Sequence, residues 1–131
     1  MSLIDSSAWI ELFRATGSQT QERLKELISA DEAMETTEPV AMELLAGART
    51  ARDRRRIKGA LAACRPLSIE NTADWEDAAA VYQRCRRSGE TPRRLLDCLI
   101  AAVAIRAGVP ILARDRDYEL IARHSSLELA A

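Results

Sequence analysis

Leu3-Ile4-Asp5-Ser6-Ser7 sets a short, β-prone apolar run against a single acid, and a helical pattern follows at once. Pro110-Ile111-Leu112-Ala113-Arg114-Asp115, near the other end of the chain, repeats the arrangement. Asp5 and Asp115 therefore fall at the carboxyl ends of strands. When two such strands share a parallel sheet, that edge is where an open α/β sheet places its ligand crevice, at the point where strand order reverses. The two stretches predict an α/β fold with a mostly parallel sheet, and they put both acids in a cleft.

Glycine and proline mark the joints of the chain at Gly17, Pro39, Gly47, Pro66, Gly89, Pro92, Gly108 and Pro110. Between them the apolar period is mostly helical. Ser6 or Ser7 is placed to cap a helix carrying Trp9, Leu12 and Phe13, and a helix from about Ser18 is expected to bury Leu24, Leu27 and Ile28. A strand at Met34 to Thr37 leads to Pro39, which opens a helix that Gly47 closes. An arginine-rich helix runs from about Ala51 to Cys64, and a strand is expected around Leu67 to Ile69. Asn71 or Thr72 caps a helix whose core face is Trp75, Ala78, Ala79, Tyr82 and Cys85. The helix from about Arg93 to Ala107 is apolar nearly all round, which predicts burial against the sheet and other helices. Ile111 to Ala113 forms a strand, Asp117 to Arg123 a short helix, and Leu127 to Leu129 an edge strand.

Two more acids join the first pair. Glu43 comes early in a helix that follows a strand, and Asp97 lies inside the apolar helix, aligned with Ala101 and Ala104. That stripe of small residues lets the helix approach the sheet closely. Singly, each acid has an ordinary explanation: a helix N-cap for Asp5 and Asp115, an exposed helical glutamate for Glu43, and a first-turn acid favoured by the helix dipole for Asp97. Jointly, four carboxylates in one cleft repel one another and take up protons unless a cation neutralises them. Asp5, Glu43, Asp97 and Asp115 are therefore the expected catalytic acids of a metal site. His124 is the only histidine, so oxygen must supply the ligands, which favours magnesium or manganese. Hydrolysis of a phosphodiester is the natural chemistry of such a site. It needs no side-chain nucleophile, and the chain carries no phosphate-cradling glycine loop and no cysteine paired with a base.

A length of 131 residues suits one domain with one substantial core, expected to span 1–131. The composition, 47% hydrophobic and 30% charged, is that of an ordinary globular protein. The longest run without a polar residue, Cys98 to Ile105, falls far short of the roughly 20 residues needed to span a bilayer, so no membrane association is expected. No basic region and apolar stretch open the chain, which makes cytoplasmic residence the default expectation. Cys64, Cys85 and Cys98, an odd number at wide spacing, read as reduced core thiols. The net charge of −1 argues against gripping nucleic acid with the whole surface, yet 17 of the 19 basic residues are arginine. One cluster comprises Arg49, Arg52, Arg54, Arg55, Arg56 and Lys58, and another, Arg84, Arg86, Arg87, Arg93 and Arg94, brackets Asp97. Planar guanidinium forks suit bidentate contact with phosphate, and Arg87, Arg93 and Arg94 are the candidates for it. The plainer reading of the first cluster is a solvated helix face carrying i,i+4 ion pairs.

Leu3 through Ile10, Glu38-Pro39 through Met42-Glu43-Leu44, Asp97-Cys98-Leu99-Ile100-Ala101-Ala102 and Arg114-Asp115-Arg116-Asp117-Tyr118 together resemble the motifs of PIN-domain ribonucleases. The likeness covers essentially the whole chain and is nearest to the VapC-type toxins of bacterial toxin–antitoxin pairs. It implies a PIN-like three-layer α/β/α sandwich and magnesium- or manganese-dependent endonucleolytic cleavage of RNA. It also implies a homodimer, and neutralisation by a cognate antitoxin whose C-terminal segment occludes the acids. By position, Asp5, Glu43, Asp97 and Asp115 match the family's acidic quartet, with Asp5, Asp97 and Asp115 as the implied metal ligands. Asp117 matches a frequent fifth acid, and Ser7 a hydroxyl position near the first. Ala113 stands where many members of the family carry threonine or serine, a departure that makes one metal ion the expectation.

Two other classes were weighed. A receiver-like magnesium-binding module would need adjacent acids after the first strand and a lysine after the last one, and neither is present. A catalytically silent PIN-like scaffold would have no use for an intact acidic quartet.

Overall fold

A computed structural model describes residues 1–130; Ala131, the last residue of the expected domain, lies outside them. Four short parallel strands, β1 (Ser2–Ile4), β2 (Met34–Thr36), β3 (Arg65–Pro66) and β4 (Ile111–Leu112), form a sheet in the order β3-β2-β1-β4. Seven helices surround it: α1 (Ser6–Arg14), α2 (Gln19–Ser29), α3 (Glu38–Ala46), α4 (Ala51–Ala62), α5 (Asn71–Arg87), α6 (Leu95–Ala107) and α7 (Arg116–Arg123). The chain leaves β1 toward β2 and β3, then returns through α5 and α6 to β4 on the opposite side of β1. Right-handed crossovers put α1 to α4 on one face and α5 and α6 on the other, giving the expected three layers. Strand order reverses between β1 and β4, which makes their carboxyl ends the switch point expected from the sequence. Among the described residues no helix is long and apolar enough to cross a membrane.

Burial explains why such short strands suffice. Leu3, Ile4, Ile111 and Leu112 are almost wholly buried between the helical layers, as parallel strands covered on both faces must be. The apolar α6 is buried from Asp97 through Ala104, and Asp97, Ala101 and Ala104 are all at 0% exposure. Gly108 ends α6 in the left-handed region at φ 68°, a conformation glycine adopts without a Cβ penalty.

Several expected details differ. β3 forms at Arg65–Pro66, ahead of the expected Leu67 to Ile69, because β2 sets its register. Its proline is tolerated on an edge strand that ends the sheet. Leu127 to Leu129 contributes one isolated bridge, Ile111 to Leu129, beside β4. Ile28 is 45% exposed, since α2 turns Gln21, Leu24 and Leu27 inward. Trp75 is 58% exposed, and the buried face of α5 is Asp74, Ala78, Val81 and Cys85. The cause is Asp74, whose carboxylate takes two 3.0 Å hydrogen bonds from Arg106 on α6. Burial alone would raise its pKa; those bonds instead hold it below the usual range. Inward placement of Asp74 rotates the helix and turns Trp75 out. Glu70, ahead of Asn71, occupies the N-cap position.

Candidate metal centre

Asp5 caps α1 itself, the role expected for Ser6 or Ser7. Its Oδ2 accepts from the backbone N–H of Ser7 at 3.0 Å and from the Ser7 hydroxyl at 2.6 Å. That hydroxyl in turn accepts the backbone N–H of Arg114 at 2.9 Å. Ser7 thus ties the acid after β1 to the loop after β4. Asp115 caps α7, accepting the N–H of Asp117 at 3.0 Å. Both acids serve as the helix caps their ordinary explanation supposed, and the caps fix their side chains at the sheet edge.

Asp97 reaches the same place from α6. Its Oδ1 accepts from Arg94 at 2.7 Å and lies 3.4 Å from the Tyr118 hydroxyl. Tyr118 donates at 2.9 Å to Oδ1 of Asp5, so one buried phenol links Asp5 to Asp97. Oxygens of Asp97, Asp115 and Asp117 lie within 4.8 Å of one another. Glu43 stands at the border of the group, with Oε1 taking a 3.3 Å bond from the Ser6 hydroxyl and Oε2 a 2.5 Å bond from Arg94. All five carboxyl groups named from the sequence are therefore drawn into one network. The compact triple contains Asp117 where the sequence suggested Asp5, and Asp5 joins it through Tyr118.

The arginines nearest the acids are paired with them. Arg93 pairs with Asp115 at 3.0 Å and with Asp117 at 3.5 Å, and its backbone N–H also donates to Asp117. Arg94 bridges Glu43 and Asp97. Both guanidinium groups are engaged by carboxylates, while the Arg93 side chain stays 73% exposed and that of Arg94 46%. Arg87, in the last turn of α5, is exposed and donates to the Gln83 carbonyl of its own helix. Tyr118 and Ser6 escaped the sequence analysis as members of the site, while Arg94, expected there as a phosphate contact, bridges two of its acids. For Tyr118 there was a signal: an aromatic with a polar tip on the apolar face of a short charged helix needs a partner when buried.

The electrostatics show how far these acids are held from water. Burial pushes the Asp97 carboxyl up to about 7, with Asp115 and Asp5 adding to the effect and Arg94 opposing it. Burial, with Asp5 and Asp97 beside it, raises the Tyr118 hydroxyl well above its ordinary range, so it stays a donor. Oδ2 of Asp97 is buried without any hydrogen-bond partner. Five carboxyl groups face two guanidinium groups, the donors are all oxygen, and one buried oxygen is unsatisfied. A hard divalent cation fits that set.

A family model described as the PIN domain matches residues 2–124. Ribonuclease VapC11 of Mycobacterium tuberculosis is 42% identical over 132 aligned positions, covering 100% of this chain and 98% of the relative. Among solved structures, a chain of VapBC2 from Rickettsia felis, bound to a DNA fragment from its promoter, superposes with a TM-score of 0.78 at 13% identity. The match covers 98% of this chain and 96% of that one. A toxin–antitoxin complex from Klebsiella pneumoniae gives a TM-score of 0.67 at 20% identity over 88% of each chain. At such identities the structural likeness shows the fold alone.

Proposed function

The chain belongs to the PIN-domain family and, within it, to the VapC ribonucleases, and on that premise we propose that it is the toxin of a toxin–antitoxin pair, an endoribonuclease that hydrolyses RNA with one Mg2+ or Mn2+ ion. The observation that carries the proposal is the convergence of Asp5, Glu43, Asp97, Asp115 and Asp117 from four different parts of the chain onto the edge where strand order reverses. The VapC relatives and the toxin–antitoxin complexes of the same fold support RNA as substrate and a cognate antitoxin as inhibitor, and a homodimer acting in the cytoplasm completes the proposal.

In this reading Asp97, Asp115 and Asp5 hold the ion, with Asp117 close enough to share it. When bound, the ion polarises the scissile phosphate, lowers the pKa of an attacking water and stabilises the leaving oxygen. The protein's part is positioning. Ser7 and Tyr118 fix the two oxygens of Asp5, so its orientation is set before substrate arrives. Glu43, bordering the cluster, is placed to take a proton at Oε1, where only the Ser6 hydroxyl now binds. Arg93 and Arg94 balance the carboxylates in the metal-free protein. With a cation bound to those carboxylates, Arg93 and Arg94 would be the guanidinium groups nearest the phosphodiester, the role expected of them.

The test is made in cells. Inducing the chain alone in a bacterial host should arrest growth and fragment RNA, and co-expressing the antitoxin encoded beside it should restore growth. Unimpaired growth while folded protein accumulates would overturn the toxin reading.

A further inference from the structure

The arginine cluster expected to carry i,i+4 ion pairs carries none. Arg49, Arg52, Arg54, Arg55, Arg56 and Lys58 on and before α4 are all exposed, as is Arg14 at the end of α1. Among the described residues none of the seven enters an ion pair. Seven cations without ion-pair partners, six of them within ten residues of sequence, give this part of a chain whose net charge is −1 a local field of the opposite sign.

Three of those cations, Arg14, Arg49 and Arg56, line a cavity. Between α1, α3 and α4 lies a groove of about 330 Å³, floored by Phe13, Leu44 and Ile57 and rimmed by Arg14, Arg49 and Arg56. Glu43, the border acid of the metal centre, lines it as well, so one residue is common to the groove and the acid network. Arg56 is fixed there, with its guanidinium carbon 4.6 Å from the Phe13 ring centroid and a 3.2 Å bond to the Phe13 carbonyl. Arg14 and Arg49 have no side-chain partner among the described hydrogen bonds and ion pairs.

We propose that this groove is the subsite for the nucleotide next to the scissile phosphate, holding one unpaired base on its apolar floor and the adjoining phosphates on Arg14 and Arg49. The proposal rests on the ribonuclease reading. Three features select the occupant. The rim charge is complementary to phosphate, with Asp53 as the only carboxylate beside Glu43 on the lining. The cavity shares Glu43 with the acids, and its volume of about 330 Å³ is that of a small-ligand pocket, too small to enclose a duplex. An apolar floor beside a cationic rim is the arrangement by which single-stranded nucleic acids are held without base pairing.

The test uses the full chain in chelator, so that binding is read apart from cleavage. Fluorescence anisotropy of a labelled single-stranded RNA is measured between 50 and 200 mM salt for the wild type, for R14A/R49A, and for an R23A/K25A control that removes equal charge from α2; these concentrations are roughly the range over which phosphate contacts dominate. The double variant, which touches no packed residue, should bind about tenfold more weakly, with the salt slope reduced by about 1.4, or ~0.7 for each lost phosphate contact. The control should match the wild type. Equal affinity and slope in R14A/R49A would overturn the proposal, as would loss of binding to an acidic antitoxin peptide with RNA binding intact, since the groove would then be a protein-docking surface. Cleavage of RNA by the wild type in manganese, run in parallel, decides the ribonuclease reading independently of either result.

Discussion

The hydroxyl of Tyr118 donates to Asp5 across 113 positions of sequence, at 2.9 Å, and lies 3.4 Å from Asp97. A residue on the last helix therefore sets the orientation of the acid after the first strand. Tyr118→Phe keeps the ring and leaves a buried carboxylate oxygen short of its donor, which costs about 2 kcal/mol. Affinity for manganese should also fall about tenfold, as it does when partners that orient metal ligands are removed. Urea denaturation in chelator and calorimetric metal titration measure the two effects, and an unchanged metal affinity would remove Tyr118 from the site.

Arg94 competes with any cation for Glu43 and Asp97. Arg94→Ala should bind manganese more tightly than the wild type, while the metal-free variant melts at a lower temperature because Asp97 loses its counter-charge in a buried position. Weaker manganese binding in the variant would show that Arg94 supports the ion-bound arrangement and does not oppose it.

The raised Asp97 carboxyl, at about 7, makes metal binding depend on pH. Below that value the metal-free protein holds a proton that the ion must displace, so affinity should climb between pH 6 and 8 with proton release. The same group affects stability. Its folded pKa lies above the unfolded value of about 3.9, so its contribution is fully present below that pH and is lost as pH rises through about 7. Asp97→Asn should therefore raise the melting temperature of the metal-free protein more at pH 8 than at pH 5. A larger gain at pH 5 would contradict the assignment.

Glu35, in the middle of β2, is at 0% exposure, and neither carboxyl oxygen has a hydrogen-bond partner. Burial raises its pKa, with Arg65 and the N-terminal amine only partly opposing. Ionisation is thus unfavourable in the folded state, and stability from this residue declines as pH rises through its raised pKa. Glu35→Met should stabilise the protein by about 1–3 kcal/mol, more at pH 8 than at pH 5. Denaturation at the two pH values measures it, and destabilisation at pH 8 would reveal a partner for Glu35.

What the sequence disclosed was local. An apolar run ending in an acid marks a strand end wherever it occurs, so Asp5 and Asp115 stood out, and the all-round apolar pattern of α6 announced the burial of Asp97. What it withheld depended on tertiary partners. Trp75 fits the apolar spacing of α5, but the Asp74–Arg106 pair decides the rotation of that helix. The pairing of Arg93 and Arg94 with carboxylates was likewise hidden, because those partners are brought close only by the fold. Asp5 and Glu43 are 38 residues apart in number, and the bond from Ser6 to Glu43 has no local signature at all.

Metal-dependent cleavage of RNA by the converging acids is read by incubating total cellular RNA with the purified chain in manganese or magnesium, in chelator, and with Asp97→Asn in place of the wild type. Discrete fragments should form with the metal, none with chelator, and none from the variant although it folds. Fragments of equal yield from Asp97→Asn, or in chelator, would contradict it.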